Sequence, residues 1–146
     1  MTDRPPTRSL ESLDTLLRIR DGRSAGAAVS VTFRYDAADP FAVTVDFTMS
    51  DRYLTSWTFA RELLGYGMFV RTGEGDVTVW SCFAEDGDAV LFIRLRSSGG
   101  RVVLEGDYYA IAEWLERCYA LVPEGAESMA VDWDRLLADS PPDRSS

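Results

Sequence analysis

The chain has 146 residues, 46% of them hydrophobic, which suits one domain that buries its core without a metal or disulfide to hold it. Its 15 basic residues are all Arg and stand against 24 acidic ones, a net charge of −9 that disfavours nucleic acid and anionic membranes as partners. His, Lys, Asn and Gln are absent, so His-based triads, Schiff-base chemistry and the P-loop lysine are excluded.

Residues 1–9, polar and carrying Pro5-Pro6, read as a disordered tail. They contain no apolar leader, and the longest apolar run of the chain, Ala89 to Ile93, is far too short for a membrane span. A soluble, cytoplasmic protein without membrane insertion is therefore expected. Leu10 to Arg20 fits a short helix or a strand, and its second half, Leu16 to Arg20, reads as strand. Asp21 to Gly26 is a loop by its turn residues.

Clean alternation follows. Val29, Val31, Phe33 and Tyr35 face one way and Ser30, Thr32, Arg34 and Asp36 the other; Asp36 to Pro40 turns the chain, and Phe41 to Met49 alternates on the way back. Tyr53, Thr55, Trp57 and Phe59 are predicted on one face of the next strand, and a short helix, Ala60 to Leu64, is expected to end at Gly65 and Gly67. Thr72 to Asp76 reads as a turn, Val77 to Phe83 as a strand, Glu85 to Asp88 as a hairpin tip, and Ala89 to Arg96 and Arg101 to Glu105 as further strands. Tyr108, Ile111, Leu115, Cys118 and Val122 recur at intervals of three and four, which predicts the longest helix, with Asp107 as N-cap and its end before Pro123. Val131 to Ala138 reads as one more amphipathic turn, and 140–146 as a second disordered tail. About seven strands in hairpins, in two units each followed by a helix, argue for an α+β fold with antiparallel sheets in a single domain, 10–139.

No constellation points to catalysis, a cofactor or a metal. Cys82 and Cys118 lack CxxC spacing and lie on periodic segments, so both are expected as buried thiols. Gly65-Tyr-Gly67 and Gly73-Glu-Gly75 lack the strand-before, helix-after setting of a dinucleotide fingerprint and read as turns. Glu85-Asp86-Gly87-Asp88, like Asp132 and Asp134, lacks calcium-loop spacing. Asp36 and Asp39 would suit acid–base work, but an Asx-type turn explains them more simply. Arg18, Arg20, Arg34, Arg94 and Arg96 are interleaved with aromatics, as a single-strand-binding sheet requires. The net charge favours instead a solvated face or a salt-bridged subunit interface.

Three stretches in series carry a resemblance: Arg34-Tyr-Asp36-Ala-Ala-Asp-Pro40-Phe-Ala-Val43, Trp57-Thr-Phe59-Ala-Arg61-Glu-Leu-Leu64 with Gly67, and Thr72-Gly-Glu-Gly-Asp76-Val-Thr-Val-Trp80. Weaker ones follow in Leu104-Glu105, Trp114 to Arg117 and Val122 to Glu127. From Ala28 to Glu127 the chain resembles the SsgA-like protein family, sporulation and cell-division regulators of filamentous actinobacteria. The resemblance implies a Whirly-like fold, assembly as a homotrimer and no enzymatic activity. It implies an adaptor that helps place the septum, recruits the tubulin-like division protein FtsZ or another SsgA-like protein, or steers cell-wall remodelling, and so a cytoplasmic protein at the division septum. Arg34, Asp36, Arg61, Glu62 and Trp80 are the candidates for partner or subunit contact. Trp57, Phe59, Leu63 and Leu64 are expected as core at the strand–helix corner, with Arg61 and Glu62 on its polar side. Arg61→Ala is then expected to impair function with little loss of thermal stability. The alternative is a single-stranded nucleic-acid-binding transcriptional regulator on the same Whirly-like fold.

Overall fold

Wherever apolar and polar residues alternate, the chain forms strands, and where the apolar spacing changes to three and four it forms helices. The computed structural model describes residues 9–49 and 52–130, so the amphipathic turn expected at Val131 to Ala138 and both expected tails, beyond Ser9, lie outside the described residues. Strands β1 (Leu10–Ile19), β2 (Ala28–Asp36), β3 (Ala42–Met49) and β4 (Arg52–Ala60) lead into helix α1 (Arg61–Gly67). Strands β5 (Thr72–Glu74), β6 (Val77–Phe83), β7 (Ala89–Ser97) and β8 (Gly100–Asp107) lead into α2 (Tyr108–Leu121), and a single turn, α3 (Glu127–Ala130), follows.

All eight strands share one antiparallel sheet in the order β4-β3-β2-β1-β8-β7-β6-β5, so each half is a meander and the halves meet where β1 joins β8. That join is short. β1 pairs with β2 from Leu10↔Asp36 to Arg18↔Ala28, but with β8 only at Arg18↔Glu105 and Ile19↔Leu104. The sheet curls, and α1 touches strands of both halves, β3 and β4 on one side and β5 and β6 on the other. Its concave face holds the core: Phe33, Val45, Leu17, Leu91, Ile93 and Val79 from the strands, Leu64 from α1, and Ile111, Trp114 and Cys118 from α2. Trp114, fully buried, packs on Phe33 with ring centroids 5.5 Å apart. Asp107 caps α2 as expected, its Oδ1 accepting from the N–H groups of Tyr109 (3.0 Å) and Ala110 (3.4 Å).

Five expectations need correction, the first being Thr72 to Glu74, read as part of a turn but paired with β6 from Thr72↔Val79 to Glu74↔Val77 as strand β5. β1 begins at Leu10, not Leu16, because its first half is held by pairing with β2 and by the bond from Arg117 Nε to Glu11 Oε1 (3.0 Å), neither of which is local. Tyr53 does not share the face of Thr55, Trp57 and Phe59: the register slips from Phe47↔Thr55 to Thr48↔Tyr53, and the bulge at Leu54 turns Tyr53 to the outer face. There its hydroxyl lies 3.1 Å from Ser56 Oγ. Gly65 lies inside α1, which runs on past Leu64 and ends at Gly67 as expected; a Cβ on Gly67 would stand 2.3 Å from Val79 Cγ1, so close packing on β6 demands the glycine there. Cys118 is buried as expected, but Cys82 is exposed because the sheet's outer face has no covering layer there among the described residues.

Candidate functional site

The five residues proposed for contact do not converge. Arg34 and Asp36 lie on the outer face of β2, where the pleat directs every second side chain away from the core. Arg34 grips Asp46 in the bidentate manner, Nη2 to Oδ1 at 3.1 Å beside the Nε–Oδ2 contact, and Ser56 Oγ donates to the same carboxylate. The Arg34 hydrogen bond holds the Asp46 carboxyl below the usual range. Asp36 serves the turn: its Oδ1 accepts from Ala38 N–H at 2.9 Å.

Arg61 is a correction. It does not sit on a polar face but is 1% exposed, enclosed by groups from both halves. Its Nη1 donates to Tyr35 Oη (3.0 Å), Val122 O (2.7 Å) and Cys118 O (3.3 Å), while Nη2 meets Glu127 Oε2 at 2.8 Å. The guanidinium also lies 4.0 Å from the Tyr119 ring centroid and 5.2 Å from that of Tyr35. Such saturation is what a buried charge requires. Backbone hydrogen bonds first, and Arg61 second, hold Glu127 below its ordinary value, and burial pushes the Tyr35 hydroxyl up to about 12. Arg61 therefore ties α1 to the C-terminal end of α2 and to α3, while its neighbour Glu62 is exposed.

Trp80 belongs to a third place, the outer face of the second half. It stacks on Phe92 (centroids 5.3 Å, 19° between planes), Arg71 lies 4.2 Å over the indole, and Arg20 lies 5.7 Å over Phe92 while bonding Glu105 at 3.0 Å. This arginine–aromatic row crosses the sheet from the β5 edge toward β1.

A further exposed aromatic surface lies elsewhere, in a groove between α1 and α2. Tyr66, Phe69, Tyr108, Tyr109 and Tyr119 line it, Ala112 and Leu115 form its floor, and its volume is about 520 Å³. Phe69 is 82% exposed, and Val70 (60%), Tyr109 (55%) and Phe83 (56%) extend the patch. These rings are held in place. Tyr108 Oη donates to Met68 O (3.3 Å), Tyr109 Oη to Gly87 O (2.9 Å) and Tyr66 Oη to Glu124 Oε2 (3.3 Å), while Phe83 meets Tyr108 edge-on at 4.9 Å. Glu116 and Glu124 border the groove, and Glu62 stands one helical turn before Tyr66. Carboxylates rim the aromatic wall, and the charges of Glu62 and Glu124 raise the Tyr66 hydroxyl above its ordinary value. Sequence reasoning missed Tyr66, Phe69, Tyr109 and Tyr119 as site residues. The available signal was Tyr66-Gly-Met-Phe-Val70, an apolar run placed where a helix end should be polar.

A groove of fixed aromatic side chains with an acidic rim can bind a polypeptide segment; among the described residues no group of three or more His, Cys, Asp or Glu side chains is placed to hold a metal. No described helix is long and apolar enough to cross a membrane. The model of one family, the Streptomyces sporulation and cell division protein SsgA, matches residues 29–127. The chain is 36% identical over 127 residues to the sporulation-specific cell division protein SsgB of Streptomyces coelicolor, covering 87% of this chain and 92% of that one. It is 36% identical over 122 residues to SsgB of Frankia casuarinae, covering 84% and 85%. The SsgA-like sporulation-specific cell division protein from Thermobifida fusca superposes with a TM-score of 0.80 at 30% identity, over 92% of this chain and 98% of that one. A solved structure from work on SsgB mutations that correlate with longitudinal cell division during sporulation of Streptomyces coelicolor superposes with a TM-score of 0.75 at 36% identity, over 84% and 95%.

Proposed function

We propose, from the premise that this chain belongs to the SsgA family of actinobacterial sporulation and cell division proteins, that it is a non-catalytic adaptor working through protein–protein contacts. The observation that carries the reading is the groove between α1 and α2. Exposed, hydrogen-bonded aromatic rings are poor solvent-facing surface and good docking surface, because they offer large area at little conformational cost. In this reading the protein acts in the cytoplasm at the division septum, as a homotrimer, on FtsZ, another SsgA-like protein or the wall-building machinery. Arg34, Asp36, Glu62 and Trp80 stay candidates for subunit or partner contact at the rim of such surfaces.

Crosslinking the tagged protein in sporulating cells, with nuclease-treated and untreated samples compared by mass spectrometry, tests the reading. Recovery of FtsZ or septal wall-building proteins in both samples is expected. Light scattering on the same purified protein, read against the 16.3 kDa chain, checks the trimer. A second reading, single-stranded nucleic-acid binding, draws on the Trp80–Phe92 stack flanked by Arg71 and Arg20. The net charge of −9 opposes it. Partners that vanish with nuclease, together with steep salt-dependent binding to an oligonucleotide, would replace the adaptor by this second reading.

A further inference from the structure

The groove has a length, an apolar floor and a charge, and together they specify an occupant. On α2 the lining runs from Tyr108 to Tyr119, which at 1.5 Å per residue is about 16 Å, or three helical turns. The opposite wall, Tyr66 to Phe69, leaves the trough open above Ala112, whose methyl group is the smallest side chain along the α2 wall. Among the described residues, every charged group bordering it is acidic: Glu116 and Glu124 in the lining, with Glu62 beside Tyr66. The guanidinium of Arg61, close by, is buried beneath Tyr119 and bound to Glu127 and two carbonyl oxygens, so it offers no positive charge to the surface. Arg117, also on α2, is engaged with Glu11.

We infer that, on the adaptor reading above, this groove takes a basic amphipathic segment of a partner protein, about three helical turns long, with apolar anchors on one face and Arg or Lys beside them. Anchors at i, i+4 and i+7 would lie along the trough against Phe69, Leu115 and Tyr109, and flanking cations would meet Glu116 and Glu124. The chain's negative charge steers such a segment inward, and the like charge of an acidic segment turns it away.

The probes are two fluorescein-labelled synthetic peptides of one apolar pattern, one built from Leu and Lys and the other from Leu and Glu, titrated with the full chain by fluorescence anisotropy. The Leu/Lys peptide is expected to bind and the Leu/Glu peptide to fail. Phe69→Ala is expected to weaken the Leu/Lys peptide about tenfold or more. Because Phe69 is 82% exposed, its melting temperature should match the wild type, which separates lost contact from lost fold. The double variant Glu116→Gln, Glu124→Gln should weaken the same peptide and flatten its salt dependence. Equal binding to wild type and Phe69→Ala would overturn the inference, since the attraction would then be diffuse charge, and so would equal binding of the Leu/Glu peptide. If the peptide results fail while crosslinking still recovers division proteins, the adaptor stands and the groove's chemistry is wrong. If the peptide results hold but no division protein is recovered, the adaptor reading fails.

Discussion

Arg61 donates to Tyr35, Cys118, Val122 and Glu127 from a side chain only 1% exposed, so removing it strips partners from groups with little access to water. Arg61→Ala is therefore expected to destabilise the fold by about 3–5 kcal/mol, the usual loss when half of a buried charged pair is deleted. Arg61→Lys should recover little of it, because an ammonium cannot reproduce the planar fork that reaches four acceptors. Urea denaturation of the two variants measures both effects, and a near-wild-type midpoint for Arg61→Ala would restore the surface role expected from sequence alone. The reason the sequence misleads here is physical. An Arg in a first helical turn is usually solvated, and only the arrival of Val122 and Glu127, more than 60 residues later, encloses this one.

In α1, two opposed effects meet at Gly67. Ala is the better helix former by about 1 kcal/mol, which favours substitution. Yet an added Cβ would stand 2.3 Å from Val79 Cγ1 and 3.1 Å from Val79 O, a clash with backbone as well as side chain. Overpacking of this kind costs about 1–3 kcal/mol, so Gly67→Ala is expected to lower stability on balance. A higher denaturation midpoint for this variant would show that β6 gives way and that the close approach is not required. The elements themselves were legible: β2, β3, β6 and β7 follow their alternation, and α2 follows its spacing from an Asp107 cap to a stop before Pro123. The errors fall at β1, at β5, at the bulge by Leu54 and at Gly65 of α1, each governed by pairing or packing with another element.

Across the whole molecule, buried hydroxyl and thiol groups and hydrogen-bonded carboxylates set the response to pH. Burial pushes both the Tyr35 hydroxyl and the Cys118 thiol up to about 12, so the folded state keeps these protons longer than the unfolded chain does. Their contribution is fully present below their unfolded values, about 10 for Tyr and 9 for Cys, and is lost as pH rises toward 12. Glu127 and Asp46 have the opposite sign. Their depressed values stabilise the fold above the ordinary carboxylate range, and that contribution disappears as pH falls through the folded values. Thermal melts should therefore show a plateau near neutrality with a drop on both sides. A melting temperature unchanged from about pH 8 to pH 11 would mean that Tyr35 and Cys118 reach solvent in the native state.

Local pattern was enough for most of the strand and helix inventory, the two-part order, the α2 cap and the three motif stretches of the family, because each depends on residues within a few positions of one another. The candidate docking surface was not accessible in that way. Tyr66 and Phe69 lie on one segment and Tyr109 and Tyr119 on another, and they form a groove only because α1 and α2 both lie against the same curled sheet. The same packing hides Arg61, while Cys82, on the outer sheet face, is open to solvent among the described residues. Burial is a property of what lies opposite a residue, and for these residues the opposite wall comes from distant chain.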